Sequence, residues 1–227
     1  MLTVQFDPTS QKIRWVVHFD LLGTSIRIQD GKLHSVFEAY ATACEKLDGW
    51  RKRHPTVVPV WFSDTFLLYT KDDSAQSFSA IEMVARWFAF ALIQNKIPVR
   101  GSMACGEFYA DSRRGVFLGS ALVEAYQWGE SQDWLGFVLT PSAVARLTAL
   151  KLPIEERLNY RYHPVHFKKR SRSRPRRVVA CLLGNWIRFS DGKNPLLQKL
   201  VAMRKAQDDP MIQRKYDRTI EFLRQYE

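Results

Sequence analysis

The sequence predicts an α/β (α+β) fold of the ferredoxin-like kind with a helical extension at its C-terminus. Three observations lead there. Strand-like and helix-like segments follow one another as β-α-β-β-α-β-(β)-α-β. Of 227 residues, 46% are hydrophobic and 13% aromatic, which suffices for one large buried core. Beyond residue 190 the pattern turns to two helices, the second opened by Asp209-Pro210.

Taken in order, Ile13–Asp20 (IRWVVHFD) is a β-rich run that ends in an acid and is followed by Leu-Leu-Gly. His34–Arg53 has no breaker before Gly49 and reads as a helix. Val57–Thr70 (VVPVWFSDTFLLYT) reads as two strands around Ser63-Asp64, a hairpin signal without glycine. Gln76–Asn95 is the clearest helix, because Phe78, Ile81, Ala85, Phe88 and Leu92 recur at steps of three and four. Pro98–Cys105 reads as a short strand and Gly106–Gly115 as a turn-rich hairpin. Gly119–Glu130 is a helix, Phe137–Thr140 a strand, and Pro141-Ser142 opens a short helix. Tyr160–Phe167 and Arg177–Leu183 are strands joined by a basic loop. Asn194–Ala206 and the segment after Asp209 are helices, the latter with Ile212, Tyr216, Ile220 and Leu223 on one stripe. The expected division is residues 1–190 and a C-terminal helical extension, 191–227.

The net charge of +11 is local. Lys168–Arg177 reads KKRSRSRPRR, with seven basic residues and no acid, and without it the balance falls to +4. The run reads first as a solvated hairpin loop, with triphosphate, membrane-surface or nucleic-acid contact as alternatives. It holds no aromatics for base stacking, which argues against nucleic acid as a partner. No apolar run reaches the ~18–20 residues of a bilayer span, so no membrane insertion is expected. Met1–Ser10 lacks a signal-peptide pattern. Cys44, Cys105 and Cys181 are odd in number and widely spaced, against a disulfide framework or structural zinc, so a reducing, cytoplasmic setting is expected.

Two aspartates carry the chemistry. Asp20 ends VVHF-Asp20-LLG and Asp64 interrupts VWFS-Asp64-TFLLY. The ferredoxin-like order puts the first strand beside the hairpin, so both carboxylates can meet at one sheet edge. Converging there, they would repel unless a hard divalent cation lay between them, and oxygen donors suit Mg²⁺ or Mn²⁺. Acidic ligands with two such cations equip phosphoryl or nucleotidyl transfer. The alternative is two unrelated turn aspartates. By strand alternation His18 shares the face of Asp20 and is a candidate for the same pocket. Cys105 reads as a small buried hydrophobe, and His163 and His166 fall on opposite strand faces, which defeats shared ligation.

At these residues the sequence resembles the class III nucleotide cyclases, over roughly residues 13–185. Their first metal motif is similar to Asp20-Leu21-Leu22-Gly23 and their second to Phe62-Ser63-Asp64-Thr65. Val99-Arg100-Gly101-Ser102-Met103-Ala104-Cys105-Gly106 and the Gly119-led helix follow in the same order. The resemblance implies two Mn²⁺ or Mg²⁺ ions held by Asp20, Asp64 and the Leu21 carbonyl. It also implies attack of the ribose 3′-hydroxyl on the α-phosphorus, with loss of pyrophosphate. Lys168 and Lys169 stand where the family places a phosphate-binding lysine. Arg100, with Arg113 and Arg114 as alternatives, is the candidate transition-state cation, since the family's helical Asn and Arg positions are Val123 and Gln127 here. The two adenine-reading positions are Val60 and Val116, which offer no hydrogen bond.

With those replacements the chain resembles the bacterial pyrimidine cyclases of anti-phage signalling, similar in strings such as PVRGSMACGEFY. That implies conversion of UTP, with CTP second, to a cyclic nucleotide read by a separate effector. It further implies a homodimer with active sites shared between subunits. A purine cyclase with an atypical base pocket and a non-catalytic nucleotide-binding module are the other readings, and a nucleic-acid-binding domain is the last.

Overall fold

The computed structural model describes residues 8–154, 160–168, 176–181 and 195–226. Its strands are β1 (Gln11–Leu21), β2 (Val57–Phe62), β3 (Thr65–Thr70), β4 (Val99–Asp111), β5 (Val116–Leu118), β6 (Phe137–Leu139), β7 (Tyr160–Val165) and β8 (Arg176–Cys181). Its helices include α1 (Thr24–Gln29), α2 (Leu33–Arg53), α3 (Ala75–Gln94), α4 (Ser120–Ser131) and α5 (Pro141–Ala149). Two more, α6 (Pro195–Lys205) and α7 (Pro210–Gln225), form the C-terminal part. The strands make one eight-stranded sheet in the order β2-β3-β1-β4-β6-β8-β7, with β5 beside β4. All neighbours are antiparallel except β4 and β6.

Alternation along β1 separates two faces. Trp15, Val17, Phe19 and Leu21 enter the main core, under α3. Val16 enters a smaller cluster on the other face with Leu67, Tyr69, Ala104, Phe108 and the α4 residues Ala121 and Ala125. His18 and Asp20 share the parity of Val16 and so stand on the α4 side. The predicted stripe of α3 is the buried one: Phe78, Ile81, Ala85, Phe88 and Leu92 are each at most 1% exposed. Ser74 caps that helix, its hydroxyl accepting from the Ser77 amide, while Asp72 accepts from both Ser74 and Ser77.

Three local expectations change. β4 does not end at Cys105 but continues through Gly106 to Asp111, because its partner β1 extends back to Gln11 and pairs it through Tyr109, after which β5 pairs Ala110 and Asp111. The hairpin turn is confined to 112–115. The expected strand Tyr160–Phe167 ends at Val165, although Phe167 forms an isolated bridge with Gln132. Helix α1 was not anticipated, and six residues without an apolar period are too short for a periodic signal.

Helix α4 is pressed against the sheet by a glycine. Gly119 precedes it at φ 146°, and a Cβ there would lie 2.2 Å from the Glu107 carbonyl oxygen. At the C-terminus, Asp209 caps α7 by accepting from the Met211 amide. Tyr216, Phe222 and Leu223 of α7 and Leu196 and Leu200 of α6 are buried in the main core. The Leu135 amide donates to Thr219 Oγ1 at 2.9 Å, tying α7 to the segment before β6.

Candidate active site

The end of β1 is where the charged side chains gather. In the register of the sheet Asp20 lies opposite Thr65 of β3 on one side and Arg100 of β4 on the other. Asp64 sits in the β2–β3 turn, next to Thr65, after Ser63 in the left-handed conformation at φ 56°. The Leu21 amide donates to the Asp64 carbonyl oxygen at 3.0 Å, so the strand end and the hairpin turn are joined by backbone. The backbones of Asp20 and Asp64 therefore stand side by side at the end of the β1–β3 pair.

Arg100 is almost wholly buried and its donors are committed. Its Nε and Nη2 donate to Oδ2 of Asp20 at 2.8 and 2.5 Å. Nη2 also donates to Oε2 of Glu130 at 3.1 Å, and Nη1 to the Gln132 carbonyl at 2.7 Å. Gln132 is itself fixed: its amide nitrogen donates to the Gly101 and Trp128 carbonyls and its oxygen accepts from the Trp134 indole. The end of α4 and the middle of the sheet are thus locked through polar groups, each with a partner. Burial and the neighbouring Asp20 charge push the Glu130 carboxyl above its usual value, against the pull of Arg100 and Lys168.

His18 lies one step inward from Asp20 on the same face, 1% exposed, with no hydrogen bond to either ring nitrogen. Its ring meets Tyr126 edge-on at 5.3 Å. It also fills the space left by Gly129, where a Cβ would stand 2.7 Å from Nδ1. Burial pushes its pKa down to about 4, so the imidazole is neutral and forms part of the packing under α4. Lys168 follows β7, its amide donating to the Ser131 carbonyl at 2.5 Å. Desolvation and then the Arg100 charge lower its pKa, while Glu130 and Asp20 act in the opposite sense. Its ammonium therefore shares a field with the Asp20 cluster. Lys169 and the rest of the basic run to Pro175 lie outside the described residues.

The two valines lie on different strands, Val60 on β2 and Val116 on β5. Val60 lies opposite Leu67 of β3, in the row that crosses β1 at His18 and β4 at Ser102. Val116 lies opposite Asp111, nine residues farther along β4, and its neighbour Phe117 packs against the same small cluster as Val60. Arg113 and Arg114 occupy the turn beside Val116, and Arg114 pairs with Asp111 at 3.0 Å. Val123 and Gln127 are exposed on α4. Sequence reasoning missed Glu130 and Gln132, since one acid and one amide at a helix end carry no spacing signal.

Among the described residues no three His, Cys, Asp or Glu side chains converge on one cation position. The donors present still fit a Mg²⁺-like ion, which takes one or two carboxylates and completes its shell with water and substrate phosphate. Asp20, Asp64 and the Leu21 carbonyl are hard oxygen donors on adjoining strand ends. Thr24 Oγ1 donates to that carbonyl at 3.3 Å, which fixes the turn after β1.

No family model and no curated protein matches the sequence. Solved structures do. The chain is similar to the adenylyl cyclase CyaB from P. aeruginosa at 8% identity and TM-score 0.57, over 75% of this chain and 94% of that one. It is similar to the catalytic core of a rhodopsin-guanylyl cyclase with converted specificity, in complex with ATPαS, at 11% identity and TM-score 0.56, over 75% and 96%. An adenylate cyclase from Trypanosoma brucei in its monomeric state matches at 11% identity and TM-score 0.54, over 78% and 90%. At these identities the likeness establishes architecture: the chain has the α+β fold of a class III nucleotide cyclase catalytic domain.

Proposed function

We propose that the protein is a nucleotide cyclase that converts a nucleoside triphosphate to its 3′,5′-cyclic monophosphate and pyrophosphate. The observation that carries this reading is that the backbones of Asp20 and Asp64 adjoin at the end of the β1–β3 pair of this fold, joined by the Leu21–Asp64 backbone bond. Divalent cations held there by Asp20, Asp64 and the Leu21 carbonyl would acidify the ribose 3′-hydroxyl and neutralise the triphosphate. The 3′-oxygen then bonds to the α-phosphorus as the bond to the β-phosphate oxygen breaks, and the hydroxyl proton passes to solvent. Lys168 adds positive charge at the mouth of the site, where charge builds on the phosphates. Arg100 holds Asp20 in place.

For the base, Val60 and Val116 favour a pyrimidine, UTP before CTP. A purine set against aliphatic side chains leaves polar edges unmatched, each costing on the order of 1–3 kcal/mol. Two such edges disfavour ATP by roughly 10²–10⁴-fold. The purine reading is favoured by a different observation, that the similar solved structures are adenylyl and guanylyl cyclases by name. A homodimer, with the metal acids from one chain and the base contacts from the other, rests on the sequence resemblance. A role for the product in anti-phage signalling through a separate effector rests on the sequence resemblance. No helix among the described residues is long and apolar enough to cross a membrane.

Incubation of the full chain with each of the four triphosphates and Mn²⁺, followed by mass identification of products, tests both levels. Cyclic UMP formed fastest is the expected result. Faster conversion of ATP or GTP replaces the pyrimidine reading with the purine one. No cyclic product from any triphosphate with folded protein overturns the cyclase reading.

A further inference from the structure

The geometry points to Arg218 of α7 as a positioning residue for Arg100 and Lys168, acting through the segment 131–135. This inference rests on the reading of the Asp20 cluster as the active site. Three successive residues of the segment are held by α7. Arg218 Nη1 donates to the Asp133 carbonyl at 2.9 Å and also to the Asp133 carboxylate. The Trp134 ring meets Phe222 edge-on at 5.1 Å. The Leu135 amide donates to Thr219 Oγ1 at 2.9 Å. Arg214 stands farther off, 4.0 Å from the same carboxylate.

The other side of the segment faces the site. The Gln132 carbonyl accepts from Arg100 Nη1 at 2.7 Å, while Asp20 and Glu130 take Nε and Nη2 of that guanidinium. The Ser131 carbonyl accepts from the Lys168 amide at 2.5 Å, and the Asp133 amide donates to the His166 carbonyl at 2.9 Å. Trp134 links the two sides, because its buried indole donates to Gln132 Oε1 at 2.6 Å. A charged side chain keeps its place only when the groups that hold it are themselves fixed. Here those groups belong to residues that follow α4 and precede β6. The hold that a helix or a strand ladder would give is supplied from α7. Arg218 does this at the rim of the core, with its side chain 20% exposed, so its contacts can be removed without emptying the core.

The test is hydrogen exchange in the full chain without nucleotide or metal, read by nuclear magnetic resonance. Arg218→Met keeps the aliphatic stem and removes the donors to Asp133. It should speed exchange of the Arg100 Nε proton and the Lys168 amide about tenfold, and leave the Phe88 amide in the middle of α3 unchanged. Arg204→Met is the control, since it breaks a different ion pair of α7, with Asp217, on the exposed side. It should leave all three protons as they are. Should Arg218→Met not fold, Asp133→Asn serves instead, because it loses the ion pair and keeps the carbonyl. Wild-type exchange of the Arg100 and Lys168 protons in the folded variant overturns the inference. Acceleration of the Phe88 amide by the same factor also overturns it, since Arg218 would then contribute only to global stability. Turnover separates this from the reading beneath it. Arg218→Met should lower kcat for cyclic-nucleotide formation about fivefold, and an unchanged kcat beside faster exchange would show that the coupling does not serve the reaction. No cyclic product from the wild type fails the cyclase reading and the inference with it, whereas unchanged exchange in Arg218→Met beside an active wild type fails the role of Arg218 alone.

Discussion

At the scale of single residues, Asp20 and Asp64 differ in what else they do. Asp20 is the partner of a buried guanidinium, whereas the turn holding Asp64 is tied down by its backbone carbonyl. Both substitutions to alanine should abolish cyclic-nucleotide formation, because each removes an oxygen donor from the proposed cation site. Their stabilities should part. Asp20→Ala leaves Arg100 with only Glu130 and the Gln132 carbonyl, and the chain should lose roughly 3 kcal/mol, the lower end for breaking a buried pair. Asp64→Ala should stay within about 0.5 kcal/mol of wild type, as half-buried turn positions without a special role do. Urea unfolding read beside product formation checks the contrast. Near-native turnover in either folded variant would show that the aspartates are not ligands.

At the scale of elements, α4 and α7 make separate predictions. Gly119 has a backbone angle that side-chain-bearing residues avoid, and a Cβ there would collide with the Glu107 carbonyl. Gly119→Ala should cost at least about 2 kcal/mol. It should also reduce activity, since α4 carries Glu130 and covers His18. A variant as stable as wild type would mean that the helix start can move freely. On α7, Phe222 and Tyr226 just past its end pack with Trp134 around His163. Burial lowers the pKa of His163, opposed by Glu221 and aided by the nearby His166. The folded state therefore favours the neutral ring. Its contribution to stability is present above the unfolded value of about 6.5 and is lost as pH falls from there toward the lowered folded value. Melting temperature should drop between pH 7 and 5, and His163→Phe should remove part of that slope. An identical slope in the variant would acquit His163 and leave His18 and His166 as the titrating groups.

At the scale of the whole molecule, the question is whether one chain suffices. Asp20 and Asp64 lie at the end of β1 and in the β2–β3 turn, and Val116 stands on β5 of the β4–β5 hairpin. In the homodimer that the sequence resemblance implies, one chain supplies the aspartates and the other the base contacts. Mixing Asp20→Ala chains with Val116→Arg chains should then restore about a quarter of the sites. Half the randomly formed dimers are mixed, and each mixed dimer assembles one intact site of two. Each variant alone should be inactive. Activity of a monomer at working concentration, or mixtures that stay inactive although mixed dimers form, would rule the shared site out.

Much of this protein was legible in its residues. The alternation of IRWVVHFD placed Asp20 and His18 on one face and Trp15, Val17 and Phe19 on the other, because a strand buried on both sides must sort its side chains by parity. The three-four stripe of α3, the Ser63-Asp64 turn and the Asp209 cap were equally local, and all three appear as read. What the sequence could not determine depends on register between distant segments. That Arg100 lies opposite Asp20 follows from pairing strands 80 positions apart. That Glu130 reaches the same guanidinium follows from how closely Gly119 and Gly129 let α4 settle on the sheet. Local pattern tells which face a residue occupies; only burial of the whole core selects the register that sets one charged side chain against another.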